Sequence, residues 1–137
     1  MGDAGSTMWG FLMAWWCIKL SQHPYQLLRP VACLWFVALP LWDCARVMLL
    51  RLLKRHSMVT ADRSHVHHLL LALGLSETKV CMMLWSFAAL CVLCGFYVDM
   101  VQVKEVYVFS SFILSFIFYC VALVFLEFKV LSFSIRE

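Results

Sequence analysis

Charged side chains are scarce in this sequence of 137 residues. Asp, Glu, Lys and Arg make up 14% of it, hydrophobic residues make up 64%, and the mean hydropathy is +0.88. Soluble globular domains carry about 25% charged and about 45–50% apolar residues, so this chain has too few polar residues for a soluble surface. Its net charge of +3 is also too small for a broad nucleic-acid-binding patch. The composition predicts a membrane protein whose partner is the lipid bilayer, with no nucleic acid.

Long apolar runs fill most of the chain. A membrane-spanning helix needs about 17–25 mostly apolar residues, and four segments satisfy this requirement: 4–20, 31–53, 80–97 and 106–126. Pro24 and Pro30 interrupt helix formation after the first segment, and Pro40 predicts a kink or break close to Leu39 in the second. The predicted fold is all-α, a polytopic membrane protein with about four transmembrane helices in a single membrane domain over residues 1–137.

Lysine and arginine are unevenly distributed among the connections between these segments. When successive connections are placed on alternate sides of the membrane, most of these residues fall on one side. The side richer in Lys and Arg is normally cytoplasmic. We therefore expect both termini, and the loop 54–79 between the second and third spans, to face the cytoplasm.

This loop contains the signals of a short helix. Asp62 is placed to cap a helix that starts at Arg63, and Gly74 is placed as its left-handed C-cap. A helix N-terminus beside basic side chains favours an anion such as a phosphate. The alternative is that the basic residues only fix the membrane topology.

Three histidines lie close together in the same loop. On the predicted helix His65 and His68 share one face, at i and i+3, and His67 lies about 100° away. Neutral imidazoles contribute little to membrane topology, so that alternative explains them poorly. A zinc site is the other alternative, although this spacing is awkward for a single metal ion.

The start of the chain forms a second polar segment on the same predicted face. Gly2 and Gly5 allow the backbone to approach a ligand closely, and Ser6 is a candidate N-cap. Asp3 supplies the type of oxygen ligand that Mg²⁺ prefers when it also binds phosphates. Without further support, a flexible polar terminus is the better explanation of these residues.

Two opposite charges occur within the second span. Asp43 and Arg46 are three residues apart and therefore share one helical face. Ionisable residues in membrane spans usually pair with one another. We expect these two to form a charge pair at the membrane boundary.

Three motifs follow one another along the chain: G-D-A-G-S at 2–6, P-L-W-D at 40–43 and A-D-R-S-H-V-H-H-L-L at 61–70, with Gly74 just beyond. In this order they resemble the C-terminal part of the bacterial polyprenyl-phosphate N-acetylhexosamine 1-phosphate transferases, and the resemblance covers essentially the whole chain. It implies a multi-span α-helical enzyme of the bacterial inner membrane, with its active site on the cytoplasmic face.

The reaction implied by the resemblance transfers a sugar 1-phosphate from a UDP-sugar to undecaprenyl phosphate and initiates cell-surface polysaccharides such as O-antigen. The interrupted H-x-H-H pattern favours UDP-N-acetylglucosamine. The implied metal is Mg²⁺, with Mn²⁺ as the alternative, and Asp3 is its implied ligand. The residues implied in binding the UDP-sugar are Arg63, His65, His67 and His68. Residues in a supporting role are Gly2, Gly5, Ser6, Asp43, Arg46 and Asp62.

One feature of this family is absent from the sequence. The family carries an adjacent pair of aspartates implicated in catalysis, and this sequence contains no Asp-Asp. We therefore assign no catalytic residue and expect the chain to be the C-terminal part of a longer transferase, or to pair with a separate chain that supplies the N-terminal half. By itself it is expected to be inactive. The alternative is a non-catalytic membrane subunit, with histidines that sense pH, or an inactive fragment.

Overall fold

The described part of the chain is helical. The computed structural model describes residues 3–22, 24, 27–54 and 65–134. These residues form α1 (Asp3–Ser21), α2 (Pro30–Phe36), α3 (Ala38–Lys54), α4 (Val66–Ala72), α5 (Glu77–Met100) and α6 (Glu105–Ser134), and they contain no strand. The prediction of an all-α membrane protein is confirmed, because each long apolar run of the sequence forms helix.

Two of the described helices are long and apolar enough to cross a membrane, over Glu77–Met100 and Glu105–Phe128. The number rises to three if α2 and α3 form one broken span. At 1.5 Å per residue, the 24 residues of α5 extend about 36 Å, which exceeds the roughly 30 Å hydrocarbon core. α1 coincides with the first predicted span, but it is not among the described helices that are long and apolar enough to cross a membrane. Its 19 residues include Gly, Ser, Thr and three Trp, and indole rings favour the membrane interface.

The second predicted span is broken. α2 and α3 meet at Val37 with a bend of 79°. A break is present close to Leu39, as predicted, and it lies at Val37 because Pro40 is the third residue of α3. The missing N–H of Pro40 is therefore one of those that the start of a helix leaves unsatisfied in any case. Pro30 likewise occupies the first position of α2.

A cluster of aromatic rings fixes this broken helix against α6. Trp35 and Trp42 both pack on Phe112, with ring centroids 5.7 and 5.2 Å apart, and Trp42 also lies 5.9 Å from the ring of Tyr119. All four side chains are buried. Both sides of the break are thereby held on one surface of α6.

Gly95 brings α5 close to α2. A Cβ atom at this position would lie 2.8 Å from Cε1 of Phe36, 3.0 Å from Cβ of Trp35 and 3.1 Å from the carbonyl oxygen of Ala32. Small residues at helix interfaces in membranes permit such close backbone approach. The tight packing of α2 on α5 therefore depends on this glycine.

Arg29 joins the start of α2 to the turn between α5 and α6. Its Nε donates to Oδ1 of Asp99 at 2.9 Å, and its backbone N–H donates to the same oxygen at 3.1 Å. Its Nη2 and Nη1 donate to the carbonyl oxygens of Val98 and Val103. One side chain thus satisfies a carboxylate and two carbonyl groups at the end of the bundle away from α4.

Candidate functional site

The carboxylate of Asp43 is the centre of a polar site between α3, α4 and α6. Its Oδ2 lies 2.8 Å from Nδ1 of His65, and its Oδ1 accepts the backbone N–H of Val66 at 3.1 Å and the hydroxyl of Tyr119 at 3.3 Å. The Asp43 side chain is 14% exposed and that of His65 is 35% exposed. The site is therefore closed on the side of Asp43 and open on the side of the imidazole.

The three predicted histidines are brought together at the start of α4. The rings of His65 and His67 are stacked with centroids 6.0 Å apart, and those of His67 and His68 are 4.1 Å apart. His67 and His68 are exposed. The predicted arrangement, with His67 turned away from the other two, is wrong because His65 is an extended N-cap residue and does not form part of the helix.

His67 lies in the middle of this stack, which changes its titration. Burial lowers the pKa of His67 below its ordinary value of 6.5, and the neighbouring imidazoles of His68 and His65 lower it further, while Asp43 opposes the shift. Both main causes disfavour the charged ring. His67 is therefore a neutral imidazole at pH 7, able to donate one hydrogen bond and accept another.

The start of α4 differs from the prediction. The helix begins at Val66, after the extended residue His65, and not at Arg63. The first helical N–H is accepted by Asp43 from α3, so this cap comes from another helix. The predicted cap Asp62 and the predicted phosphate ligand Arg63 lie outside the described residues. The predicted left-handed Gly74 is confirmed, with a φ of +81°.

Arg46 is one helical turn beyond Asp43. It is buried, with 2% of its surface exposed, and its Nη2 pairs with Oε1 of Glu127 on α6. Among the described residues, the side chain of Asp43 contacts His65 and that of Arg46 contacts Glu127, which corrects the predicted pairing of the two with each other. Each contact links α3 to another helix.

The middle of α1 lies beside the break between α2 and α3. Cys17 of α1 lies beside Cys33 of α2, and Gly10 lines a groove together with Pro40 at the start of α3. Asp3 lies seven residues, or about 10 Å of helix, beyond Gly10.

The predicted roles at this end of α1 have different outcomes. The helix begins at Asp3, so Ser6 lies within it and is not its N-cap as predicted. Gly5 is in the first two turns of the helix. Gly2 and the Asp3 side chain, the predicted metal ligand, lie outside the described part of the structure.

Among the described side chains, no group of three or more His, Cys, Asp or Glu residues is arranged to hold a metal ion. Mg²⁺ requires near-octahedral oxygen coordination. The described carboxylates of the site, on Asp43 and Glu127, are already in contact with His65 and Arg46. The described residues alone therefore do not fit a magnesium site, and Asp3 remains a prediction.

Two residues of the site were not predicted from the sequence. Tyr119 and Glu127 lie on α6, where they contact Asp43 and Arg46. Glu127 is an acidic residue near the end of a long apolar run, and such residues usually have a partner. This signal was present in the sequence, but the identity of the partner required the fold.

No protein-family model matches this chain, and no solved structure matches it. Curated proteins do match. An undecaprenyl-phosphate alpha-N-acetylglucosaminyl 1-phosphate transferase from Pasteurella multocida is 37% identical over 119 residues, which cover 87% of this chain and 33% of that protein. The protein of the same name from Haemophilus influenzae is 34% identical over 119 residues, covering 87% of this chain and 34% of its own length.

A third relative of the same name, from Escherichia coli K12, is 38% identical over 90 residues, 66% of this chain and 24% of that protein. The chain thus spans about one third of the length of the first two relatives. The resemblance predicted from the motifs, to the C-terminal part of these transferases, is confirmed.

Proposed function

We propose that this chain, as a homologue of one third of the undecaprenyl-phosphate N-acetylglucosaminyl 1-phosphate transferases, forms the part of such an enzyme that holds the nucleotide sugar. The proposed reaction transfers N-acetylglucosamine 1-phosphate from UDP-N-acetylglucosamine to undecaprenyl phosphate, with release of UMP, on the cytoplasmic face of the bacterial inner membrane. It would initiate a cell-surface polysaccharide such as O-antigen. The observation that carries the proposal is the stack of His65, His67 and His68, which presents imidazole rings outward from the bundle.

The stacked histidines are unlike histidines that serve a packed core. His67 and His68 are exposed, yet they are held in order by His65 and Asp43 beneath them. Transfer of a phosphoryl-linked group depends mainly on positioning and on stabilising charge. Ordered N–H donors that face outward can position a ligand that carries a diphosphate and can stabilise its negative charge.

The metal and the remaining ligands are also part of the proposal. Asp3 would contribute to holding Mg²⁺, with Mn²⁺ as a substitute, and Arg63 would contact the phosphates. A bound divalent cation would neutralise charge on the diphosphate. Further carboxylates would come from sequence that the longer relatives contain, on the same polypeptide or on a separate chain.

A chimera tests this proposal directly. The matching third of the Pasteurella multocida relative is replaced by this chain, and membranes are assayed for transfer of labelled N-acetylglucosamine 1-phosphate to undecaprenyl phosphate. Membranes with this chain alone and membranes with the relative alone are assayed in parallel. We expect product from the chimera, and loss of product when Asp3 is changed to Asn.

The histidine stack is tested in the same chimera. Changing His67 and His68 together to Ala removes two neutral or charge-assisted contacts, worth about 1–3 kcal/mol in total, so donor affinity should fall roughly 5- to 150-fold. His23→Ala, between α1 and α2, is the matched control and should leave the affinity unchanged. An inactive chimera that is correctly inserted would favour a non-catalytic membrane subunit or an inactive fragment.

A further inference from the structure

We propose that Asp43 is a positioning residue that fixes the tautomer of His65. In this assignment His65 carries its proton on Nδ1, and Nε2 is left as a hydrogen-bond acceptor for a hydroxyl group of the nucleotide sugar. The identity of the ligand rests on the function proposed above. The tautomer itself does not, because it follows from contacts within the chain.

The assignment follows from the donors around the carboxylate. Three groups point at its two oxygens: Nδ1 of His65 at 2.8 Å, the N–H of Val66 at 3.1 Å and the hydroxyl of Tyr119 at 3.3 Å. An ionised carboxylate only accepts hydrogen bonds. The 2.8 Å contact is therefore a hydrogen bond only if Nδ1 carries hydrogen.

The position of the proton on Nδ1 also determines the role of Nε2, the other ring nitrogen of His65. A neutral imidazole has one N–H, so Nε2 carries the lone pair. Because Nδ1 is turned toward the enclosed carboxylate, Nε2 lies on the other edge of a ring that is 35% exposed. A second partner that fixes the tautomer and orientation of a ligating imidazole in this way is a general device of protein sites.

The same contacts also determine where the ring stands. Asp43 holds the first N–H of α4 and the imidazole of the residue before it. His65 in turn stacks on His67. One carboxylate therefore sets both the start of α4 and the ring at the base of the histidine stack. The resulting site has an acceptor at His65 for hydroxyl groups.

Asn is the informative substitution at position 43. Its amide has one acceptor oxygen and one N–H₂ donor. If the oxygen continues to accept the N–H of Val66, the N–H₂ faces Nδ1 of His65 and requires a lone pair there. Asp43→Asn should therefore move the His65 proton to Nε2, which places a donor where the hydroxyl group of the ligand requires an acceptor.

The tautomer can be measured without any activity. The full chain is labelled with ¹⁵N-histidine in lipid nanodiscs, and the imidazole shifts are recorded at about pH 8.5, above the ordinary imidazole pKa of about 6.5. The resonances of His65 are assigned by their loss in His65→Gln. We expect Nδ1–H in the wild type and in Tyr119→Phe, which keeps the carboxylate, and Nε2–H in Asp43→Asn.

The ligand is tested in the chimera described above. Asp43→Asn should raise the KM for UDP-N-acetylglucosamine about tenfold or more, as loss of the second partner of a ligating imidazole does, with a smaller change in kcat. Asp43→Glu should recover part of the loss. UDP contains the ribose but not the hexosamine. If Asp43→Asn weakens inhibition by UDP as much as it raises the KM for UDP-N-acetylglucosamine, the hydroxyl group belongs to the ribose. If inhibition by UDP is unchanged, the hydroxyl group belongs to the hexosamine.

The outcomes separate this inference from the proposed function. An Nε2–H tautomer in the wild type, or an Nδ1–H tautomer that survives in Asp43→Asn, would overturn it. An altered tautomer with an unchanged KM would reduce Asp43 to a helix cap and overturn its positioning role. An inactive wild-type chimera combined with the expected tautomer would refute the proposed function and the ligand, and would leave the assignment of His65 standing.

Discussion

Replacing Gly95 by Ala should force α2 and α5 apart. The added methyl group would meet Cε1 of Phe36 at 2.8 Å, Cβ of Trp35 at 3.0 Å and the carbonyl oxygen of Ala32 at 3.1 Å. The last two atoms belong to or adjoin the backbone of α2, and Phe36 is itself packed on the ring of Phe96 at 4.8 Å. None of the three can move away alone, so the helices must separate.

The magnitude follows from two opposing effects. Overpacking of this kind costs about 1–3 kcal/mol, and we expect the upper part of that range because two of the contacts are with atoms on or next to the backbone of α2. Ala is better than Gly inside a helix by about 1 kcal/mol. Gly95→Ala should therefore lower the free energy of unfolding by about 1–2 kcal/mol.

Gly10 provides a matched control within α1. It is also inside a helix, but a Cβ at Gly10 would have no neighbour within 4 Å. Gly10→Ala should therefore stabilise the chain by up to about 1 kcal/mol, and the difference between the two variants isolates the steric cost. Both are measured by denaturant titration in detergent micelles. A Gly95→Ala chain as stable as Gly10→Ala would refute the close contact between α2 and α5.

Three further predictions concern other parts of the fold. Gly74→Ala should lower the free energy of unfolding by about 1–2 kcal/mol in the same titration. The cost comes from the φ of +81° alone, because a Cβ at this position meets no atom within 4 Å. An unchanged midpoint would contradict that conformation. Asp99→Asn should lower the free energy of unfolding by about 1–3 kcal/mol, because it weakens the half-buried hydrogen bonds from Arg29. If the effects of Asp99→Asn and Arg29→Gln on stability were additive in the double variant, the pairing would be contradicted. Since the pKa of His67 lies below 6.5 when folded, the unfolded chain binds more protons, so stability should fall as pH is lowered through 6.5. His67→Gln should make this fall smaller, and an unaltered pH profile would argue against the shift.

The long helices could be predicted from the sequence because they coincide with long apolar runs. The predicted segment 80–97 lies inside α5, and 106–126 lies inside α6. The exact position of the break was missed because proline breaks a helix in its interior but is tolerated in its first turn. Sequence alone does not distinguish those two positions for Pro40.

The site was predicted less completely, because its contacts join residues distant in sequence. Asp43 and Arg46 were paired by their spacing of three, a local rule. The side chains that they contact in the described structure, His65 and Glu127, are 22 and 81 residues away. The histidines were identified correctly as a group, but their stacking depended on the start of α4, which is set by a carboxylate from α3.

The contacts of Arg29 have a consequence for biosynthesis. α2 has seven residues, about 10 Å of helix, which is too short to cross a bilayer unaided. The acceptors that hold its start lie about 70 residues later in the chain. At about 5–20 residues per second, a ribosome needs roughly 4–14 s to synthesise that length.

During that interval the Arg29 guanidinium has neither the Asp99 carboxylate nor the Val98 and Val103 carbonyl groups to bind. The contacts that hold the start of α2 can therefore form only after α5 and the turn that follows it have been synthesised. At this end of the bundle the later helices thus complete the earlier one, because they supply the acceptors that fix the start of α2.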